Sequence, residues 1–182
     1  NELREAKTIV AEVGAELDAA GIPWDKTISL GMMIEGPAIA MIADLVVDEV
    51  DFASIGTNDL CQYVCATDRM NASVKAYYQD YHPAVFRLLK SVADVFNQAG
   101  KYLGVCGELG GDRLAIPLLV GLGIRSLSMS MASIAQAKQI ISHLDTADAA
   151  QLAAEALNAK TNLDLKKHLI RFAEAHLLGD QG

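Results

Sequence analysis

Apolar residues recur along the chain first at helix spacing and then in short strand-like runs. Residues 1–20 carry an apolar side chain at every third or fourth position, which predicts a helix that Gly21 and Pro23 terminate. This stripe consists of Leu3, Ala6, Val10, Val13, Leu17 and Ala20. The largely apolar run at residues 28–34, bounded by turn residues, predicts a strand that is buried on both faces.

Strand and helix signals continue to alternate through the middle of the chain. The further predicted strands are residues 52–56, 102–106 and 126–129, and the predicted helices are residues 38–47, 59–66, 83–98, 112–121 and 132–141. Pro117 is expected to bend or locally open its helix because it lacks an N–H donor. Two more helices, residues 146–157 and 163–177, follow without a strand between them, with Asp145 and Thr161 as their N-caps.

Repeated strand–helix units predict an α/β fold with a parallel sheet, which is either open and doubly wound or half of a TIM (β/α)8 barrel. Polar side chains follow each predicted strand, as in barrels whose chemistry lies at the carboxyl ends of the strands. These positions are Glu35, Thr57 to Asp59, Cys106 to Glu108, and Ser128 with Ser130. Because a complete barrel takes about 250 residues, a chain of 182 residues predicts half of one.

Charge and composition narrow the classes of function. The chain has 15 Lys and Arg against 23 Asp and Glu, so its net charge of −8 disfavours nucleic acid as a partner. Its apolar stretches are far shorter than the roughly 20 residues that cross a bilayer, so membrane insertion is not expected. An odd number of cysteines, three, favours a reducing cytoplasm, and the N-terminal residues lack the order of a signal peptide.

Two carboxylates follow neighbouring predicted strands. The axes of adjacent strands lie about 4.8 Å apart, so Glu35 and Asp59 are close enough to reach one small cation. Mg²⁺ suits such a pair, because it binds one or two carboxylates together with phosphate oxygens of a substrate. The alternative is that Asp59 only caps the helix that follows and Glu35 is a solvated loop acid.

The turn from Gly56 to Asp59 is a candidate phosphate site, because glycine permits close approach and a helix N-terminus offers free amides. Arg69 can return over this turn and hold phosphate oxygens with its planar guanidinium. The alternatives are an ordinary turn and an exposed ion pair of Arg69, for example with Asp68. Cys106 ends a strand at the same edge, where a thiol can transfer a proton, although most free cysteines are small core residues.

Cys61 and Cys65 lie four residues apart on one helix face. No third and fourth soft ligand accompany them in the sequence, which favours core packing over a metal site.

Four motifs in one order resemble the phosphoenolpyruvate (PEP)-utilising enzymes, and most closely the PEP-protein phosphotransferases, enzyme I of the bacterial sugar phosphotransferase system. The motifs are Gly31-Met32-Met33-Ile34-Glu35-Gly36-Pro37, Asp51 to Leu60 with Gln62-Tyr63, Asp68-Arg69-Met70-Asn71, and Val105-Cys106-Gly107-Glu108. The resemblance implies one partial domain over residues 1–182, the C-terminal half of the PEP-binding barrel. Its parts would be a leading helix at 1–20, four βα units at 21–142 and terminal helices at 143–182.

The same resemblance implies a role for each candidate residue. Glu35 and Asp59 would be the Mg²⁺ ligands, Asn58 and Arg69 would hold the phosphate of PEP, and Cys106 would protonate the enolate as pyruvate forms. In the family the phosphoryl group passes to a histidine on another domain and then to a phosphocarrier protein. No histidine of this chain matches that motif, so the chain alone is expected to be inactive.

Two other functions remain open at this point. The chain can act chiefly as an assembly module, because the family's C-terminal region carries a homodimer contact and open sheet edges favour self-association. It can also be a Mg²⁺-dependent lyase on a related barrel, in which carboxylates hold the metal against an enolate.

Overall fold

A computed structural model describes residues 1–176 as a parallel sheet with helices on one of its faces. The strands are β1 Gly31–Ile34, β2 Phe52–Gly56, β3 Tyr102–Cys106 and β4 Ser126–Leu127. The α-helices are α1 Glu2–Ala19, α2 Pro37–Met41, α3 Ala43–Val46, α4 Thr57–Val64, α5 Pro83–Gln98, α6 Ala115–Gly121, α7 Met131–Ser142, α8 Thr146–Ala156 and α9 Asn162–His176. Short 3₁₀ helices cover Val47–Glu49, Lys75–Tyr77 and Glu108–Gly111. The predicted α/β class with a parallel sheet is confirmed.

The strands lie in the sheet in the same order as in the chain, β1-β2-β3-β4, and all three pairings are parallel. Ile34 is in register with Ile55, and Gly56 is in register with Cys106. Parallel crossovers have a constant hand. A sheet without a reversal of strand order therefore places its connecting helices on one face.

The two faces of the sheet differ sharply in burial. The face beneath the helices is largely buried, and its Ile34, Ile55 and Val105 side chains are fully so. On the opposite face, Met33 is 48% exposed and Tyr102 is 58% exposed. The prediction that the first strand is buried on both faces is therefore wrong, and the strand is also shorter than the predicted residues 28–34.

The core lies between the sheet and its helices. Helix α5 contributes the largest set of fully buried side chains, and its amphipathic pattern explains why this helix has the predicted bounds. Helix α8 packs on α6 so closely that a Cβ atom added at Gly121 would overlap the carbonyl oxygen of Ala149. The predicted terminal pair of helices, α8 and α9, is present, although Leu177 lies outside the described residues.

Helix α1 forms where predicted, but most of its apolar stripe is not packed. Val10 and Val13 are exposed, and the helix is held mainly at its ends. Near its start Arg4 forms an ion pair with Glu49 at 2.6 Å. Near its end the Trp24 ring covers Gly14 so closely that a Cβ atom there would lie 2.6 Å from the ring.

Further differences from the predictions concern a helix, a strand and the effect of a proline. The helix predicted at residues 38–47 is interrupted at Ile42, whose φ of −112° and ψ of 24° leave the helical region, so α2 and α3 are separate. The strand predicted at residues 126–129 is only Ser126–Leu127. Pro117 is the third residue of α6 and falls within its first turn, where a missing N–H costs no helical hydrogen bond, so no bend is required.

The predicted helix caps are present. Asp145 accepts a hydrogen bond from the Ala147 amide at 2.6 Å, and Thr161 Oγ1 accepts one from the Asp164 amide at 3.1 Å. Asp112 accepts from the amides that open α6. Within residues 1–176, none of the helices combines the length and apolarity that a membrane span requires.

Candidate functional site at the carboxyl edge of the sheet

Glu35 and Gly56 lie side by side where β1 and β2 end. The register pairs Ile34 with Ile55, so the next residues along both strands are Glu35 and Gly56. A Cβ atom at Gly56 would lie 3.0 Å from both the Cβ and the Oε2 of Glu35, and 3.4 Å from Met33 Sδ. A larger residue at position 56 would therefore press on the Glu35 side chain, which would have to shift to make room.

Helix α4 begins immediately after Gly56, two residues earlier than predicted. Asp59 is consequently the third residue of the helix. The alternative that Asp59 only caps this helix is therefore wrong. Thr57 is buried, and its Oγ1 donates a hydrogen bond to the carbonyl of Cys106 at 3.0 Å. This bond ties the start of α4 to the end of β3.

Asn58 is fixed by the loop that follows β3. Its Oδ1 accepts a hydrogen bond from the Glu108 amide at 3.0 Å, which leaves its Nδ2 as the donor end of the side chain. Gly107 makes this contact possible, because its φ of +107° suits glycine and a Cβ there would lie 2.9 Å from Asn58 Oδ1. On the other side, the Tyr78 hydroxyl donates to the Asn58 carbonyl at 3.2 Å.

Arg69 returns to the start of α4, as predicted from the sequence. Its Nη2 lies 3.4 Å from Asp59 Oδ1, so its ion-pair partner is Asp59 rather than Asp68. Residues 66–69, which follow α4 and are called the arm below, are held by α4 itself, because the Arg69 amide donates to Gln62 Oε1 at 3.1 Å. The Asp68 carboxylate instead accepts from the Met70 amide.

The second terminal nitrogen of Arg69 has no hydrogen-bond partner within residues 1–176. Among the buried side-chain nitrogen and oxygen atoms of the described residues, Arg69 Nη1 alone makes no hydrogen bond. A buried donor without an acceptor costs about 1–3 kcal/mol. Such a donor beside a helix N-terminus is suited to an anion.

Two buried groups lie behind Asn58. Burial, and then the neighbouring Cys61, raise the pKa of Tyr78, so its phenol stays protonated and can donate to Asn58. Burial, and then Cys65, raise the pKa of the Cys61 thiol to about 12. Cys61 is 2% exposed and belongs to the core, in agreement with the prediction of core packing.

Cys106 is half-buried at the end of β3, on the same side of the sheet as Gly56. Its Sγ lies 3.6 Å from Met33 Sδ and 3.6 Å from the Ile55 carbonyl. The thiol therefore extends across β2 towards β1, over the gap that Gly56 leaves. It is not the fully buried core cysteine of the alternative reading.

Glu35 and Asp59 are the residues here that could hold a metal ion. Glu35 is exposed and lies against Gly56, and Gly56 precedes Asp59 by three residues. Their donor set consists only of carboxylate oxygens, which suits Mg²⁺ with its remaining positions filled by water and substrate oxygens. Within residues 1–176 no group of three or more His, Cys, Asp or Glu side chains forms a more complete metal site.

The sequence-based list of site residues contains Glu35, Asn58, Asp59, Arg69 and Cys106, and the structure places all five at the carboxyl edge of β1, β2 and β3 or in the arm that returns to it. It omits Thr57, Gln62, Tyr78 and Gly107, which position those residues. The glycine directly after Cys106 was the one local signal available. The contacts of Thr57 with Cys106 and of Tyr78 with Asn58 join segments 49 and 20 residues apart in the chain, whereas Gln62 and Arg69 are 7 residues apart.

Comparison with known proteins identifies the family of this chain. Residues 1–146 match the sequence profile of the family described as "PEP-utilising enzyme, PEP-binding domain". The chain belongs to the PEP-utilising enzymes. The match includes every strand of the sheet and all five candidate residues of this PEP-utilising chain.

Curated relatives within the PEP-utilising enzymes are named PEP-protein phosphotransferases. The relative from Listeria monocytogenes serovar 1/2a is 49% identical over 161 residues, which are 88% of this chain and 28% of the relative. Those from Latilactobacillus sakei and Staphylococcus aureus are 43% and 46% identical, covering 93% and 88% of this chain but 29% and 28% of the relatives. The chain thus spans a little over a quarter of the length of these relatives.

Proposed function

We propose that this chain is the C-terminal half of a PEP-binding (β/α)8 barrel, and that it supplies the phosphate, metal and proton-donor residues of a PEP-protein phosphotransferase. The observation that carries the proposal is the unpartnered, buried Nη1 of Arg69 beside Asp59 and the first turn of α4. An anion beside the first turn of α4 would accept a hydrogen bond from this nitrogen.

The half-barrel proposal is supported by the topology of the sheet. The strand order runs without the reversal that marks a doubly wound sheet, and the helices leave one face open. In a complete barrel this open face, with Met33 and Tyr102, would be the inner face, covered by side chains of the remaining strands. The domain division of residues 1–20, 21–142 and 143–182 belongs to this proposal.

Arg69 and Asn58 would bind the phosphoryl group of PEP. Arg69 would turn its free Nη1 to a phosphate oxygen, and Asn58 would donate from Nδ2, since its Oδ1 is already engaged. Glu35 and Asp59 would hold Mg²⁺, which when bound supplies positive charge against the phosphate and enolate oxygens. Positioning and charge neutralisation are what phosphoryl transfer requires of a protein.

Cys106 would act after the phosphoryl group has left. Breaking the bond between the phosphorus and the bridging oxygen of PEP leaves the enolate of pyruvate, and the Cys106 thiol would give its proton to the methylene carbon. The resulting thiolate would regain a proton from water. Protonation traps the product as pyruvate, so the reverse transfer is disfavoured.

The acceptor steps belong to the proposed whole protein. The relatives named above are phosphotransferases that act between PEP and a protein, as their names state. By analogy we propose a histidine on another domain as the first acceptor and a phosphocarrier protein as the second. The chain by itself would not turn over, and the names of these relatives favour this function over the lyase.

Replacement of Asp59 by asparagine tests the metal role. In the complete protein, calorimetric titration is expected to show that Mg²⁺ raises the affinity of the wild type for PEP. With Mg²⁺ present, the Asp59→Asn variant is expected to bind PEP at least about tenfold more weakly than the wild type, because it loses this gain. Without Mg²⁺ the variant is expected to bind PEP no more weakly than the wild type, because Arg69 is then released from its ion pair.

Asp94→Asn is the matched control, because Asp94 is a half-exposed carboxylate on α5 that pairs only with Lys90 in the described part of the chain. It is expected to keep the full gain in affinity with Mg²⁺. If Asp59→Asn kept the same gain, the metal role would be rejected.

An assembly role is a second candidate, and the open sheet face favours it. Tyr102 on that face and the unpacked stripe of α1 expose apolar surface that a protein normally covers. Sedimentation of the isolated chain is expected to show self-association that Tyr102→Lys weakens. Met70→Lys, at a more exposed position away from the sheet, is expected to leave self-association unchanged, and a monodisperse wild-type monomer would contradict the role.

A further inference from the structure

Cys61 and Cys65 form a thiol pair that the proposed phosphotransfer chemistry does not use. Their sulfur atoms lie 3.9 Å apart on one face of α4, at its C-terminal end. Cys61 is buried, whereas Cys65 is partly exposed to solvent. We propose that this pair is an oxidative modification site, in which a hydroperoxide converts the two thiols to a disulfide and thereby loosens the arm that carries Arg69.

The reaction balances with a hydroperoxide as the oxidant. The accessible thiol of Cys65 takes one oxygen atom and becomes a sulfenic acid, while the hydroperoxide is reduced to an alcohol or water. The Cys61 sulfur then attacks the Cys65 sulfur. The sulfur–sulfur bond forms, and the sulfenic oxygen leaves as water with the thiol proton.

Closing this disulfide requires a local movement of the backbone. Residues four apart on a helix have Cβ atoms about 5–6 Å apart, whereas a disulfide needs about 3.5–4.5 Å. Cys65 follows the last residue of α4, so the helix end can move more easily than the buried Cys61. The next residue, Ala66, has a φ of 51°, the one positive φ at a non-glycine position within residues 1–176.

The segment that must move is the one that places Arg69. The Cys65 carbonyl accepts a hydrogen bond from Thr67 Oγ1 at 2.9 Å. The last turn of α4 also holds the arm through Gln62, whose backbone oxygen accepts from the Thr67 amide and whose side chain accepts from the Arg69 amide. Pulling Cys65 towards Cys61 strains this set of bonds together.

The oxidation also removes a hydrogen bond that the same Cys61 sulfur makes. The Cys61 thiol donates to the Gln79 carbonyl at 3.3 Å, and a disulfide has no proton to donate. Gln79 is next to Tyr78, whose hydroxyl contacts the Asn58 carbonyl. Formation of the disulfide and movement of the arm do not depend on whether the site binds PEP.

Peptide mapping of the full chain after hydrogen peroxide treatment tests disulfide formation. Trypsin releases Cys61 and Cys65 together in peptide 27–69 and Cys106 separately in peptide 102–113. The expected product is peptide 27–69 lighter by two hydrogen atoms, resistant to alkylation until a reductant is added. Its absence at peroxide concentrations that already oxidise Cys106 would overturn the proposal.

Native-state proteolysis tests the effect on the arm. Cleavage by trypsin after Arg69 is expected to be about fivefold faster or more in the oxidised chain, since cleavage follows the population of locally opened forms. Cys65→Ser, a change at a partly exposed position that leaves the buried Cys61 in place, is expected to abolish this response. A disulfide that forms without altering cleavage after Arg69 would also overturn the proposal.

Discussion

Replacing Arg69 with methionine in the complete protein is expected to lower kcat/KM for phosphoryl transfer from PEP by about a hundredfold to a thousandfold, the usual effect of removing one preorganised donor to a charged transition state. Stability should change by less than about 1 kcal/mol, because the ion pair with Asp59 is partly exposed. The variant even removes a buried donor that has no acceptor. Initial-rate kinetics and urea denaturation measure the two effects separately.

Two further variants show whether the loss of rate is specific to the guanidinium at position 69. Arg69→Lys keeps the charge but loses the planar pair of nitrogens, so it is expected to recover only part of the lost rate. Arg171→Met removes an arginine from the exposed surface of α9, far along the chain from the site, and is expected to behave as the wild type. A rate for Arg69→Met within about threefold of the wild type would reject the phosphate-binding role.

The elements that the sequence predicted best are those with strong local signals. Strands β2 and β3 and helix α5 have the predicted bounds, residue for residue. Helix α5 begins at Pro83 and ends before Gly100, which are recognisable start and stop signals of a helix. Its apolar positions follow one face. The break at Ile42 has no such signal, since neither glycine nor proline marks it.

Burial was harder to predict than secondary structure, because it depends on what covers each element. The apolar stripe of α1 and the apolar residues of β1 predict packing, yet Val13 and Met33 are exposed in this chain. A pattern of apolar residues indicates which side of a segment is suited to burial. It does not record whether the covering surface lies within the same stretch of chain.

The candidate site was predictable where polar residues follow strands, and unpredictable where distant segments support them. Parallel strands end at one edge, so Glu35, Asp59 and Cys106 could be assigned to one place from the strand pattern alone. The contacts of Thr57 with Cys106 and of Tyr78 with Asn58 depend on the paths of loops. Propensity and spacing carry no information about those paths.

Gly121→Ala is expected to give the largest loss of stability in the chain, more than about 4 kcal/mol, which is the range of severe core mutations. The added methyl would overlap the carbonyl oxygen of Ala149 and lie 3.1 Å from the Cβ of Ala153, so α8 would have to move away from α6. The obstructing atoms belong to a backbone and a fixed Cβ. No change of side-chain rotamer can therefore relieve the overlap.

Gly36→Ala is the matched control for the helix contact. Gly36 has an extended φ of −112°, and a Cβ atom there meets nothing within 4 Å, so alanine is expected to be neutral or slightly stabilising by restricting the unfolded chain. Urea denaturation of both variants measures the difference. Equal stability of the two variants would mean that α6 and α8 are not in backbone contact, and the terminal helices would then have to pack elsewhere than on the βα units that carry the site.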